Sequence, residues 1–340
     1  MINKKINVLV CGTVFGKIYI NGINLNENFK LAGIYSNGSK HSKKIAEQYD
    51  VPLYIDINDI PAEEIDLACV VIRSTIVGGK GSEIAYNLLD RGISVIQEQP
   101  VHYKEVVRNY DIATQNNIFY SVNTFYSHME IITKLLDIIR RVNRLDTIYS
   151  INCSCSTQTL LPTLDVLGMI TGEIKNRELL LDTRVDSDLE HYIFLKMNRV
   201  PVMLRIFTKP SSINEINPIS SIFNLTISTG IGDIILTDVN GQIIWINRTY
   251  IVEEYVKKIG EDRSSEPTSK TLFNSENESF GDIYELEWPK AIKNYLDDYL
   301  YYCRDEGAMP SIYYRYLELC DFWKEISIII EKRSNERKRR

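Results

Sequence analysis

No apolar run in this sequence approaches the ~18–20 residues that a membrane-spanning helix needs, so no membrane partner is expected. There is no secretory apolar region after Met1 either, because Lys4 and Lys5 lead straight into the short apolar segment Ile6–Cys11. The expected location is cytoplasmic. Positive charge is also in short supply: 39 Lys and Arg face 45 Asp and Glu, for a net charge of -6. That balance argues against nucleic acid as the main partner, and the basic end Lys332–Arg340 reads as a frayed, solvated helix. Cysteine is sparse and scattered, with Cys153 and Cys155 as the sole close pair among six. No second Cys/His pair stands at finger spacing, so no metal is expected and the thiols read as reduced core residues. Internal repeats are absent.

What is present is enough chain for two domains: 340 residues, 44% hydrophobic and 25% charged, an ordinary globular composition. From the start to about residue 122, apolar segments alternate with amphipathic ones. Strands are predicted at Ile6–Cys11, Phe29–Tyr35, Leu53–Tyr54, Leu67–Ile72, Ser94–Gln97 and Ile118–Val122. Helices are predicted near Gly16–Gly22, His41–Tyr49, Lys80–Arg91 and Tyr103–Gln115. Continuous apolar strands separated by amphipathic helices predict a parallel sheet covered on both faces, with ligands at the strands' carboxyl ends. After Asp146 the pattern turns to alternating strands, with Asp238–Gln242 as a hairpin turn whose Asn-Gly pair would take positive φ. An amphipathic helix is expected over Leu160–Thr171, a polar loop over Gly260–Gly281, and final helices over Pro289–Arg304 and Ile312–Lys332. The fold class is therefore α/β: a Rossmann domain over residues 1–125, then an α+β substrate and dimerisation domain over 126–340, built on an open antiparallel sheet.

The first turn suits a dinucleotide. An apolar strand runs into Gly12, Thr13, Phe15 and Gly16 and then a helix, where glycine lets backbone approach a pyrophosphate and the helix N-terminus offers free N–H groups. The usual G-x-G-x-x-G is incomplete, with Cys11 and Thr13 in its first two glycine positions. A carboxylate at the end of the second strand would bind the ribose 2′-hydroxyl of NAD; none is there. Ser36, Asn37, Gly38, Ser39, Lys40 and Ser42 stand in its place, groups that hold a phosphate dianion. NADPH is the expected cofactor.

Three further segments follow later strands, where a nicotinamide would reach: Arg73 and Ser74 with Ile76–Gly79; Glu98-Gln99-Pro100-Val101-His102; and Asn123-Thr124-Phe125-Tyr126-Ser127-His128; of these, Arg73, Ser74, Glu98, Gln99 and Pro100 are expected to bind the cofactor. A strand, Glu-x-Pro, then a strand ending in Asn resembles the glucose-fructose oxidoreductase / inositol dehydrogenase superfamily. Within it, these motifs, with Val-Cys-Gly-Thr-x-Phe-Gly at the first turn, are similar to the thiazolinyl imine reductases of pyochelin- and yersiniabactin-type siderophore assembly. The similarity covers roughly the first 130 residues. It implies NADPH-dependent reduction of a thiazoline C=N to a thiazolidine, on an intermediate carried by the peptidyl carrier domain of a nonribosomal peptide synthetase. It also implies a homodimer formed through the antiparallel sheet.

Such a reaction needs a positioned hydride donor and a proton for the nitrogen. Tyr126 and His102, in loops at the nicotinamide end, are the expected acids, since a Tyr near ~10 and a His near ~6.5 can both donate; His128 is a weaker candidate. The wider superfamily commonly carries Lys where this chain has Gln99, an amide that hydrogen-bonds but does not titrate. That weakens a sugar or cyclitol dehydrogenase, which needs a base for a hydroxyl proton. A catalytically silent NADPH-binding regulator is the alternative from a different class.

Overall fold

The computed structural model describes residues 4–72, 79–183, 190–208, 222–249, 266–275, 279–305 and 307–337. The chain divides into two compact units: Met1–Glu130 with Asn277–Phe322, and Ile131–Glu276 with Trp323–Arg340.

The first unit begins with β1 (Ile6–Cys11), α1 (Gly16–Asn24), β2 (Phe29–Tyr35), α2 (Lys40–Tyr49), β3 (Leu53–Tyr54) and β4 (Leu67–Val70). It continues with α3 (Lys80–Asp90), β5 (Ser94–Glu98), α4 (Tyr103–Gln115) and β6 (Tyr120–Asn123). Every strand pair is parallel, in the order β3-β2-β1-β4-β5-β6. The order reverses between β1 and β4, which puts a ligand crevice at their carboxyl ends. Val8–Cys11 and Leu67–Val70 have no exposed surface, as an apolar strand covered by helices on both faces requires.

The second unit holds α5 (Glu130–Val142, from its second residue), β7 (Ile148–Ser156), α6 (Leu160–Thr171), β8 (Arg177–Thr183), β9 (Glu190–Met197) and β10 (Val200–Phe207). β11 (Phe223–Thr229), β12 (Gly232–Leu236), β13 (Gln242–Asn247) and β14 (Ser269–Asn274) complete an eight-stranded sheet ordered β14-β13-β12-β11-β7-β10-β9-β8. Its pairs are antiparallel apart from β7 with β10. Side chains alternate strictly between a buried and a half-buried face along β9, β11 and β12.

Four expectations are revised here. Part of the polar loop expected over 260–281 is the edge strand β14, whose backbone pairs with β13 while its side chains stay largely exposed; an edge strand carries no hydrophobic signature. The hairpin at Asp238 exists without positive φ at Asn240 or Gly241. Its turn is closed instead by Asp238 Oδ1 accepting Asn240 N–H at 3.0 Å and by Thr237 Oγ1 accepting Gln242 N–H at 2.9 Å. The helix over Leu160–Thr171 is not amphipathic, since almost every one of its residues is buried. Of the six thiols, Cys303 is exposed rather than in the core.

The boundary expected after residue 125 is also crossed, because the chain returns to the first unit. Helix α7 (Trp288–Tyr302) lies on α1 so closely that a β-carbon at Gly22 would sit 2.6 Å from Ile292 Cβ. Tyr299 packs against Phe29 and Phe119 at 6.2 and 5.0 Å between ring centroids. Helix α8 (Ala308–Arg337) stacks Tyr313 on Tyr110 at 3.7 Å and places the Tyr316 hydroxyl to accept Val101 N–H at 3.1 Å. These aromatic faces cover apolar surface of the Rossmann sheet and its helices, so residues 126–340 do not all belong to one body. Among the described residues, no helix is long and apolar enough to cross a membrane.

Candidate functional site

At the β1–α1 turn, Gly12 takes φ +97° and donates its N–H to Tyr35 O at 2.8 Å. A β-carbon there would meet Val71 O at 2.7 Å, so both conformation and space demand glycine. Gly16 opens α1 against β1, where an added β-carbon would come within 3.2 Å of Val10 Cγ1. Phe15 precedes the helix without a side-chain cap, and the first turn carries no acidic residue. Its leading N–H groups and dipole end are therefore left for an anion. Thr13 is buried beside them. This arrangement fits a pyrophosphate even though two glycines of the usual motif are missing: Gly12 alone makes the turn, and Gly16 allows the helix to approach.

Beyond β2, Asn37, Ser39 and Lys40 are exposed, and Gly38 takes φ +72°. Ser36 is buried and accepts Gly38 N–H at 3.2 Å; it shapes the loop. Ser39 caps α2 through Ser42 N–H at 3.2 Å. Ser42 corrects the sequence expectation: it is fully buried, and its hydroxyl donates to Ser39 O at 2.9 Å, so it is not offered to a ligand. Helical periodicity explains this, because the third residue of α2 turns inward against the sheet. Asn37 and Lys40 can still hold a 2′-phosphate, whereas the Gly38 N–H is engaged by Ser36. Arg73 and Ser74 lie outside the described residues.

The other end of the crevice is built by β5 and β6, whose last residues, Glu98 and Asn123, are register partners. Tyr19, in the second turn of α1, reaches both. Its hydroxyl donates to Glu98 Oε2 and accepts from Asn123 Nδ2 at 2.8 Å. Burial pushes the Glu98 carboxyl up to about 8, the Tyr19 hydrogen bond only partly opposing it, and burial next to Glu98 pushes the Tyr19 phenol well above its ordinary value. Asn123 Oδ1 accepts Phe125 N–H at 2.8 Å and so holds Phe125 at φ +65°. The Gln99–Pro100 peptide is cis, and Gln99 N–H donates to Asn123 O at 3.2 Å.

Tyr126 follows in a short helical turn and is 9% exposed. It belongs to an aromatic wall. Phe15, Phe125 and Trp288 meet pairwise at 5.3 to 5.8 Å between centroids, with Tyr126 at 5.1 Å from Phe125 and 6.4 Å from Trp288. Edge-to-face contacts of this kind fix ring orientation. The structure thus brings Phe15, Glu98, Tyr126 and the β1–α1 turn together.

The two histidines have other occupations. His102 is the N-cap of α4, its Nδ1 accepting Lys104 N–H at 3.3 Å. That bond requires Nδ1 to be unprotonated, leaving Nε2 to carry the ring proton. His128 Nδ1 lies 3.2 Å from Asp298 Oδ2, and its ring meets Tyr295 edge-on at 4.7 Å. Tyr19 and Trp288 escaped the sequence reading. Nothing in the spacing of α1 marks Tyr19 as more than a core residue, and Trp288 lies 276 positions from Gly12 (288 less 12) in the numbering. Asn123 was in the quoted motif, but its task shows only in the bonds it makes.

Residues 6–124 match the GFO/IDH/MocA model, described as an oxidoreductase family with an NAD-binding Rossmann fold. No curated protein matches the sequence. An oxidoreductase from Agrobacterium radiobacter, solved with NAD+, L-tartaric acid and magnesium, is 12% identical. It superposes with a TM-score of 0.67 over 94% of this chain and 95% of that one. A 3-ketoreductase from Actinomadura kijaniata, solved with NADP, is 13% identical with a TM-score of 0.65 over 94% and 96% of the two chains. A dehydrogenase from Clostridium difficile is 14% identical with a TM-score of 0.66 over 98% and 100%. At such identities the likeness is one of fold, and it extends over both units. Residues 6–124 accordingly resemble the NAD-binding Rossmann domain of that oxidoreductase family, and both units share the fold of these solved structures.

Proposed function

We propose that this oxidoreductase uses NADPH to reduce a thiazoline C=N to a thiazolidine, on an intermediate tethered to a peptidyl carrier domain in nonribosomal siderophore assembly. The observation that carries the reading is the chemistry at the end of β5. A non-titrating amide, Gln99, follows a carboxyl, Glu98, that burial pushes up to about 8. Oxidation of an alcohol needs a base to take the hydroxyl proton, whereas reduction of an imine needs an acid beside the nitrogen. This end of the crevice offers acids: Glu98, and Tyr126 in its aromatic wall. The four motifs that resemble thiazolinyl imine reductases supply the substrate class.

NADPH, when bound, supplies the hydride. The chain's part is to seat it and to provide the proton. Gly12 and the uncapped start of α1 would hold the pyrophosphate, Asn37 and Lys40 the 2′-phosphate, and the Phe15–Phe125–Trp288 wall would exclude water from the ring. Of the expected acids, Tyr126 stands at that wall, while His102 would have to act through Nε2 with Nδ1 engaged at the helix cap. The row Phe194–Met203–Asn152–Thr226–Ile235–Ile244, register partners across six strands and half-buried apart from the exposed Asn152, is the surface proposed for a homodimer.

A reductive reading is also compatible with carbonyl substrates, since one relative by fold is a 3-ketoreductase solved with NADP. The test is loss of reduced-nicotinamide absorbance with a thioester-linked thiazoline mimic, run beside a keto-sugar and with NADH in place of NADPH. Thiazoline-dependent oxidation of NADPH is the expected result. Turnover of the keto-sugar alone would overturn the C=N reading, and binding without any turnover would leave the silent binder.

A further inference from the structure

The hydrogen bonds around Glu98 have a direction. Asn123 Nδ2 can only donate, so the Tyr19 oxygen accepts from it at 2.8 Å. The Tyr19 hydroxyl in turn donates to Glu98 Oε2. One carboxyl oxygen is therefore committed to accepting, and any proton that Glu98 carries sits on Oε1. Glu98 ends β5 half-buried, with its Oε2 against Tyr19, whereas Tyr19 and Asn123 are buried.

The groups that face this carboxyl are neutral. Tyr19 approaches from α1 and Asn123 from β6; Cys69, fully buried on β4, has its thiol pushed up by burial and by Glu98 itself. Lys17, on α1, is turned to Glu285 at 3.0 Å. No cation among the described residues offsets the burial of Glu98. A carboxyl so placed keeps its proton in the resting protein, yet has one hydrogen-bond donor fixed in position for the carboxylate it becomes.

Building on the imine-reductase reading above, we propose that Glu98 is the acid that protonates the nitrogen, with Tyr19 and Asn123 as positioning residues that stabilise the resulting carboxylate. In the step, the hydride from NADPH forms a C–H bond at the imine carbon as the C=N π pair moves to nitrogen. The Oε1–H bond of Glu98 breaks and an N–H bond forms. The products are thiazolidine, NADP+ and Glu98 carboxylate, which takes its next proton from water once the site opens. Tyr126, expected as the acid from its place in the motif, then has the task of lining the pocket.

Two measurements test this, one independent of turnover. Infrared titration of the cofactor-free protein should show a protonated-carboxyl band at pH 7 that disappears with a midpoint near 8. Glu98→Gln should remove it, and Tyr19→Phe should move the midpoint upward, because the bond that favours the carboxylate is gone. Absence of that band at pH 7, or its survival in Glu98→Gln, overturns the proposal. In single-turnover reduction of the thiazoline mimic, Glu98→Gln should lose ~100-fold or more while still binding NADPH, and Tyr126→Phe should lose far less. Tyr19→Phe, a smaller change to the fold, should extend the alkaline limb of the rate profile. If wild type reduces the mimic and Glu98→Gln does so equally fast, the acid is another group and this proposal alone fails. If wild type reduces no thiazoline, the imine-reductase reading fails and takes this one with it.

Discussion

Replacing Gly22 by Ala tests whether the returning segment is seated as described, and with it the placing of Trp288. Gly22 lies in α1 at the contact with α7. An added β-carbon would stand 2.6 Å from Ile292 Cβ, 2.8 Å from Ile292 Cγ2 and 2.8 Å from Pro289 O. Carbon atoms in contact prefer ~3.5–4.0 Å, so the overlap is about 1 Å. Two of the three neighbours cannot swing away, since one is a β-carbon and the other a main-chain carbonyl. Overpacking of this sort costs ~1–3 kcal/mol, and rigid neighbours put this site at the upper end. Against it stands the gain of Ala over Gly in a helix interior, about 1 kcal/mol. The net expectation is a loss of ~2 kcal/mol, read from urea unfolding of the full chain by near-UV circular dichroism. Adding Ile292→Ala removes Cγ2 but leaves the other two contacts, so the double variant should show a coupling of ~0.5–1 kcal/mol rather than full relief. If Gly22→Ala is as stable as wild type or gains the helix-propensity term, α7 does not lie on α1 at this distance.

Three other outcomes follow from the site. Gly12→Ala meets both a positive φ and the Val71 carbonyl at 2.7 Å, so it should weaken NADPH binding at least ~10-fold, about 1.4 kcal/mol, measured by the fluorescence of the reduced nicotinamide. Lys40→Glu, at the exposed second-strand loop, should cost NADPH about tenfold while leaving NADH nearly unchanged; equal losses for both would remove Lys40 from the phosphate site. The raised Glu98 pKa also sets a pH dependence of stability. Between the unfolded value near ~4.3 and the folded value of about 8, the folded state binds the extra proton. Stability therefore falls as pH rises through that window and levels off above it, by at most roughly 5 kcal/mol. Urea unfolding from pH 4 to 9 should show the slope in wild type and its loss in Glu98→Gln; an unchanged slope in the variant would place the titrating group elsewhere.

The parts of this protein that could be read from its sequence are those written in local pattern. Six apolar strands separated by amphipathic helices determine a buried parallel sheet, and the observed elements fall within a residue or two of that reading. Even the incomplete glycine motif carried its meaning, because the turn needs glycine only where φ is positive and Val71 O is close, which is Gly12. The second-strand loop was legible in kind but not in detail. Composition marks it as a phosphate cradle, yet whether each hydroxyl faces ligand or helix depends on rotation about α2, which turns Ser42 inward and spends Ser39 on the cap. β14 stayed hidden for the opposite reason, since an exposed edge strand is specified by its neighbour's backbone rather than by its own side chains.

The acid–base end of the site was least legible, and the cause is physical. Motif logic points to residues in loops at strand ends, and so to Tyr126 and His102. Proton chemistry is decided instead by burial and by hydrogen-bond direction, which are properties of the assembled sheet. Tyr19 looks like any core tyrosine in α1 until β5 and β6 bring Glu98 and Asn123 to its hydroxyl as donor and acceptor partners. His102 looks like a catalytic histidine until α4 begins at the next residue and takes its Nδ1 for the cap. Glu98 stood in plain view within the Glu-x-Pro motif, but as an expected cofactor contact rather than as an acid. Half-buried with no cation beside it among the described residues, the same carboxyl is placed to keep its proton, which is the role the proposal gives it.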